Sequence, residues 1–409
     1  MKPSYTNFVT QADEQRGSIR PLKKHYGRMK RINYTLFVLL LVSIVFSCTR
    51  TNLNYTQNGN WASRTTFGGG NGIGVGYAAS FVIGNNAFVA TGVNPQFPAQ
   101  KLQAVWMYTP GTIPPASVPD GVDSPAAQGV WTAVANFPGL PRSNAIGFTA
   151  AGQGYVGTGL ANDGVTIYSD FWAFNPGAGT WTEVDSISDA NGNYPRYDAA
   201  SFSFDSVGYV LTGTDGFNYF GDVWKFSPAT GQWVQQPNFP GNNRSGAITF
   251  IYQGQGYIVT GHTPNTKWAQ GNLAYDFWRF NPNSTNIDIT WIRLRDIWNT
   301  SPGTYDDGYA NIIRTNGAGF VILGTLGGDK AYVTCGANSN TDINFTWEYD
   351  FLTDTWDEKA PFKGTDRTGA VGFTLENRGF VTTGLNAGAQ AAYTDTYEFF
   401  PNAVYNPYD

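Results

Sequence analysis

The side chains best placed by type and spacing to do chemistry are four arginines. Arg142, Arg196, Arg244 and Arg367 each stand three residues before an alanine: Ala145, Ala199, Ala247 and Ala370. Two further alanines extend the series, Ala310 with Asp307 in the arginine's place and Ala78 with Val75. A guanidinium offers a planar fork of donors that matches a carboxylate or a phosphate. Arg142, Arg196, Arg244, Asp307 and Arg367 are therefore the candidate ligand-binding set. Asn144, Asp198, Tyr77, Tyr197 and Tyr309 lie beside it in sequence. The recurrence also suits a structural role, in which each arginine bonds carbonyls between adjacent repeats. A repeated residue first serves the repeat, and the spacing leans that way.

Other chemistry is poorly supplied. The chain has two histidines, His25 and His262. His262 falls in an apparent insertion with no Ser or Cys nucleophile motif near it, so no triad is expected. It reads as an exposed loop residue. No spacing suits zinc. Asp189-x-Asn191-x-Asn193 opens like a calcium loop but lacks the distant glutamate, and reads as turn chemistry. No catalytic residue, metal or cofactor is expected.

The elements that position the arginines are short and repetitive. Six strings end in Thr-Gly or Leu-Gly: AFVATG (87–92), GYVGTG (154–159), GYVLTG (208–213), GYIVTG (256–261), GFVILG (319–324) and GFVTTG (379–384). A small-residue strand bearing the alanine precedes each string. An aromatic strand follows, as in DFWAF (170–174), DVWKF (222–226) and DFWRF (276–280). A lone tryptophan then marks a fourth strand in five repeats: Trp131, Trp181, Trp233, Trp291 and Trp356. Trp61 supplies the sixth from the other end of the chain, so the spacing predicts that a strand around it completes the last repeat. Four short strands repeated six times read as an all-β propeller. Closing the ring removes the unpaired edge that an open array would leave. The rich content of 49 Gly, 28 Phe, 23 Tyr and 13 Trp fits such a fold. The aromatic strands read as inter-blade packing, not as a sugar platform. Segment 94–129 reads as a long insertion around the third strand of blade one, and 262–274 and 325–342 read as insertions in blades four and five.

These features resemble the kelch superfamily of six-bladed β-propellers over roughly residues 58–402. More specifically, FPGLPRSNAIGF (137–148), FPGNNRSGAITF (239–250) and FKGTDRTGAVGF (362–373) resemble blade openings of kelch-repeat lipoproteins of Gram-negative bacteria. The resemblance implies that the first strand of each blade is innermost. The arginines and Asp307 would then surround the mouth of the central channel. Galactose oxidase shares this fold, but its copper site needs two histidines. With His25 ahead of the export signal, that site is unavailable to the mature chain.

The N-terminal segment reads as an address. Residues 1–28 look like an upstream extension. Residues 29–47 form a basic start and a short apolar run typical of a signal peptide, too short for a comfortable span. Val45-Phe46-Ser47-Cys48 resembles a lipoprotein box, which makes Cys48 the expected lipidation site. Residues 48–57 would form a tether and 403–409 a tail. Residues 1–47 hold 8 of the 25 Lys and Arg but 2 of the 30 Asp and Glu, leaving a formal net charge of −11. Such a field argues against nucleic acid and confines membrane contact to the lipid. Cys335 is then the remaining thiol and reads as a buried small residue or an inert loop thiol.

Two functions fit. One is an envelope-anchored, non-catalytic binding propeller that recognises a protein or glycan, facing periplasm or cell surface. The other is a small-molecule sugar enzyme resembling the N-acetylneuraminate epimerases, which implies an acid/base pair such as Asp307 or Asp198 near the channel mouth.

Overall fold

The computed structural model describes residues 58–406 apart from 71, 97–99, 113–124, 285–289, 298–306 and 387. Cys48 and the whole signal segment lie outside the described residues. Six four-stranded antiparallel sheets follow one another along the chain. Blade two shows the pattern: Ile146–Ala150, Gln153–Gly157, Phe171–Asn175 and Thr180–Val184, each paired with the next. The first strands line a central cavity of about 330 Å³, with Ser80, Gly147, Ser201, Thr249, Gly319 and Gly372 on its wall. Small residues are needed there because six strands converge on one axis.

The ring closes as the tryptophan spacing predicts. Asn60–Arg64 pairs with Thr396–Phe400, placing Trp61 opposite Phe399, and so becomes the fourth strand of blade six. Trp61 is fully buried and meets Phe320 and Phe362 edge-on. Its Nε1 donates to the Ala360 carbonyl at 3.3 Å. The last blade is therefore held shut by packing as well as by the ladder.

Successive blades interlock through aromatic rings. Phe148 of blade two sits over Gly208 of blade three, where a methyl group would lie 2.1 Å from the ring. Phe81 imposes the same limit on Gly154. This close approach is why glycine is the second residue of the second strand in blades two, three, four and six. The DFWAF-type strands supply the core between blades, with Phe171, Trp224, Phe277 and Trp347 buried.

Blade five departs from the expected register. Its first strand is Ala318–Thr325 and its second is Gly328–Thr334, longer than their counterparts and bulged between Ile322 and Thr325. GFVILG therefore lies on the first strand, and Leu323-Gly324 is the exposed end of a hairpin. The true counterpart of Thr-Gly is Cys335-Gly336. Segment 325–342 is accordingly not an insertion, since it contains the second strand. Ala310 belongs to a 3-10 turn, Asp307–Asn311, ahead of the blade.

Replacing Trp61 with alanine removes the plug of the closing blade. Large-to-small changes of this kind cost about 3–5 kcal/mol, and chemical denaturation of Trp61→Ala should show a loss of that size in one cooperative transition.

Candidate functional site

Each first strand is approached through a four-residue pattern: Arg142-Ser-Asn-Ala, Arg196-Tyr-Asp-Ala, Arg244-Ser-Gly-Ala, Arg314-Thr-Asn-Gly and Arg367-Thr-Gly-Ala. Arg314, not Asp307, holds the position in blade five. The four-residue pattern itself was the signal that would have found it. Asp307 lies in the preceding 3-10 turn. Tyr309, from the same turn, is buried against Trp347 and donates to the Trp356 carbonyl at 2.9 Å. It belongs to the core of blade five.

The arginines do stand around one end of the ring, but their side chains point into the blades. All five are fully buried. Arg142 grips Asp170 with both terminal nitrogens at 2.6 and 2.8 Å, and Arg196 grips Asp222 at 2.7 and 2.6 Å. Arg244 pairs with Asp276, and Arg367 with Asp395. Each also donates to the carbonyl that ends its blade's second strand: Thr158, Thr212, Thr260 and Thr383. The guanidinium thus ties the first, second and third strands of one blade together. Trp172, Trp224 and Trp278 add an indole N–H to the same carboxylates at 2.9, 2.6 and 2.6 Å. Arg314 has Phe345 where the others have aspartate. It is satisfied by the carbonyls of Ile312, Cys335, Phe345 and Asn311 at 2.7–2.9 Å. Burial without a carboxylate lowers its pKa to about 10. Cys335 is buried beside it, and desolvation raises its thiol pKa to about 11.

The main chain of these segments links one blade to the next. The amides of Gly92, Gly159, Gly213, Gly261 and Gly336 donate to the carbonyls of Arg142, Arg196, Arg244, Arg314 and Arg367, and Gly384 donates to Val75, all at 2.7–3.0 Å. A second circuit runs nearer the axis. Tyr77, Asn144, Asp198, Gly246, Asn316 and Gly369 all adopt left-handed backbone, with φ between 50° and 62°. Each donates its amide to the carbonyl of the preceding member, and Tyr77 donates to Gly369, at 2.8–3.1 Å. Six hydrogen bonds close a ring around the channel.

The side chains of this inner ring form the mouth. Asp198 receives Asn144 Nδ2 at 2.7 Å and a second hydrogen bond from Asn316. Burial raises its pKa to about 6 despite both amides. Desolvation lifts Tyr77 to about 12, and Tyr197 and Tyr219 are raised for the same reason. His262 is half-buried and stacks on Tyr219, with ring centroids 5.3 Å apart. It pairs with Ser245 and Leu273 at a regular position of the repeat, so it is no exposed loop residue. Burial lowers its pKa. Lys101 donates its ammonium to the Leu160 and Ala161 carbonyls at 2.7 and 2.6 Å, and its pKa is lowered to about 8 by desolvation. The mouth is thus lined by a carboxyl group, two amides and several aromatic hydroxyls. Among the described residues, no metal-binding cluster of His, Cys, Asp and Glu occurs.

No protein-family model matches the chain. The N-acetylneuraminate epimerases of Escherichia coli (strain K12) and Shigella sonnei (strain Ss046) are each 24% identical to it over 237 residues, 49% of this chain. That of Pasteurella multocida is 24% identical over 249 residues, 46% of this chain. The matches span 60–62% of those relatives' length. The solved structure of YjhT superposes with a TM-score of 0.58 at 16% identity, covering 79% of this chain and 94% of that one. The shared feature is the six-bladed β-propeller fold.

Arg196→Ala should leave the Asp222 carboxylate without its main partner and open the blade. Removing one member of such a buried pair costs about 3 kcal/mol or more, which urea denaturation would register.

Proposed function

We propose that this chain is an envelope-anchored, non-catalytic binding propeller of the kelch type that holds a neutral glycan at the channel mouth. The observation that carries this reading is the Asp198 cluster. A half-buried carboxyl group flanked by Asn144 and Asn316, with Tyr77, Tyr197 and Tyr219 around it, offers acceptors, donors and flat faces together. Sugars are held by that combination, with hydroxyls on carboxylates and amides and C–H faces on aromatic rings. Attachment through lipid at Cys48 belongs to the same reading, and intact mass of detergent-extracted protein checks it.

A second reading is a sugar mutarotase. Asp198 favours it, because a carboxyl group with a pKa near 6 can both give and take a proton close to neutrality. The 24% identity to N-acetylneuraminate epimerases points the same way. Against it stands the fate of the arginines, which are buried in the blades and do not face a sugar carboxylate at the mouth. Lys101 is likewise engaged with carbonyls. The glycan-binding reading is therefore placed first.

Calorimetric titration with neutral oligosaccharides at several pH values tests it. Asp198 accepts hydroxyl donors best when ionised, so affinity should rise as pH passes upward through about 6. Asp198→Asn should weaken binding about tenfold, the scale of one charge-assisted hydrogen bond, and flatten this pH dependence. Acceleration of N-acetylneuraminate anomer exchange that Asp198→Asn abolishes would replace this reading with the second.

A further inference from the structure

Blade one breaks the arginine pattern, and the break leaves a slot that no side chain of the described residues fills. Val75 stands where the arginine would be, since it accepts the Gly384 amide just as the arginines accept Gly92, Gly159, Gly213, Gly261 and Gly336. Ala104 stands where the aspartate would be. Its carbonyl receives the Thr91 amide at 3.1 Å, as the Asp170 carbonyl receives that of Thr158. The remaining walls of the slot are kept. In blades two, four and six the guanidinium lies 4.8–4.9 Å from the ring of Phe137, Phe239 or Phe362. Each of those rings also meets the third- and fourth-strand aromatics of its own blade. Phe67 makes the same pair of contacts in blade one, with Trp106 at 6.1 Å and Trp131 at 4.9 Å. Leu102 takes the place of Tyr168 and Tyr393, because its amide donates to Gly92 as theirs donate to Gly159 and Gly384.

The result is a cavity of about 390 Å³ lined by Phe67, Val75, Thr91, Leu102, Ala104 and Trp106. That is the size of a small-molecule pocket. Two polar groups there have lost the partners that their counterparts keep. The Thr91 carbonyl occupies the position that elsewhere receives an arginine Nη1, and no donor among the described residues reaches it. The Trp106 indole N–H corresponds to those that donate to Asp170, Asp222 and Asp276, and has no acceptor among the described residues.

We propose that this slot is a binding site for a neutral hydroxylated ring, a pyranoside, distinct from the mouth. The missing aspartate decides against a cation, which would be buried with no counterion. A hydroxyl group can donate to the Thr91 carbonyl and accept from Trp106 Nε1, which a purely apolar ligand cannot. The flat C–H face of a pyranose suits the gap between Phe67 and Leu102 that elsewhere takes a planar guanidinium.

Methyl β-D-glucopyranoside and methyl β-D-galactopyranoside, titrated by calorimetry into the processed full-length protein, test the proposal. At least one should bind saturably. Trp106→Phe keeps the ring but removes the N–H, and should weaken binding about tenfold, the scale of a hydrogen bond in a desolvated site. Val75→Arg with Ala104→Asp restores the pair found in the other blades. It should fill the slot, remove the binding event that Trp106→Phe weakens and leave the melting temperature no lower than that of the parent. Asp198→Asn should leave that event unchanged and lower only binding at the mouth. No saturable binding of either glycoside overturns the proposal. So does the absence of any event that Trp106→Phe weakens, or such an event that survives the double variant. Loss of binding in Asp198→Asn with retention in the double variant would place the ligand at the mouth instead. Should the double variant fail to fold, Trp106→Phe decides.

Discussion

The inner ring of six backbone hydrogen bonds is the constraint on which this propeller depends. It requires one left-handed residue per blade, because only that conformation turns the amide toward one neighbouring blade while presenting the carbonyl to the other. Gly246 and Gly369 adopt it freely, and Asn144, Asp198 and Asn316 are among the residue types that tolerate it. Tyr77 does so at a cost, as do the β-branched threonines at 91, 158, 212, 260 and 383 in the neighbouring circuit. Such strain persists only where surrounding structure fixes it. In blades two, three, four and six that structure is the arginine–aspartate clamp, and in blade five it is Arg314 with its carbonyls, each holding three strands of its blade in the relation the ring requires; blade one has neither. The mouth then follows from the ring, because the side chains of its left-handed residues face the channel opening. Asp198 is both a member of the circuit and the most chemically distinctive group at the mouth.

The clamps explain why a repeated arginine is a poor ligand-binding residue here. A guanidinium taken out of water must be matched donor by donor, and the blades do this with a carboxylate and carbonyls. Nothing is left over for a ligand. Arg314 shows that carbonyls alone can suffice. Blade one shows the other solution, in which both charges are deleted together and a cavity remains. Loss of the arginine alone would have left the carboxylate without its guanidinium partner.

Much of this was legible in the sequence. The six-fold repeat and the closing strand at Trp61 follow from spacing alone, because a blade is a local unit with an aromatic at a fixed place. Blade five differs from its sequence spacing because Leu323-Gly324, at a bulged hairpin, imitates the Thr-Gly that ends a second strand. The real position carries Cys335-Gly336. That slip put Asp307 in the place of Arg314. The aspartate partners at 170, 222, 276 and 395 stood in plain view at the start of the third strands. Their pairing with the arginines was hidden because it depends on where strands meet, not on sequence distance. The Asp198 cluster was half visible, as residues beside the arginines, but its convergence on the axis needed the left-handed turn.

Hydrogen–deuterium exchange resolved at single amides tests the ring most directly. Amides whose hydrogen bonds break only when the whole domain opens are protected by the free energy of global unfolding. The amides of Tyr77, Asn144, Asp198, Gly246, Asn316 and Gly369 should therefore share one protection free energy, among the highest in the protein, and move together when the domain is destabilised. Six amides with unrelated protection free energies, or as weakly protected as those of the surface hairpins, would contradict the account.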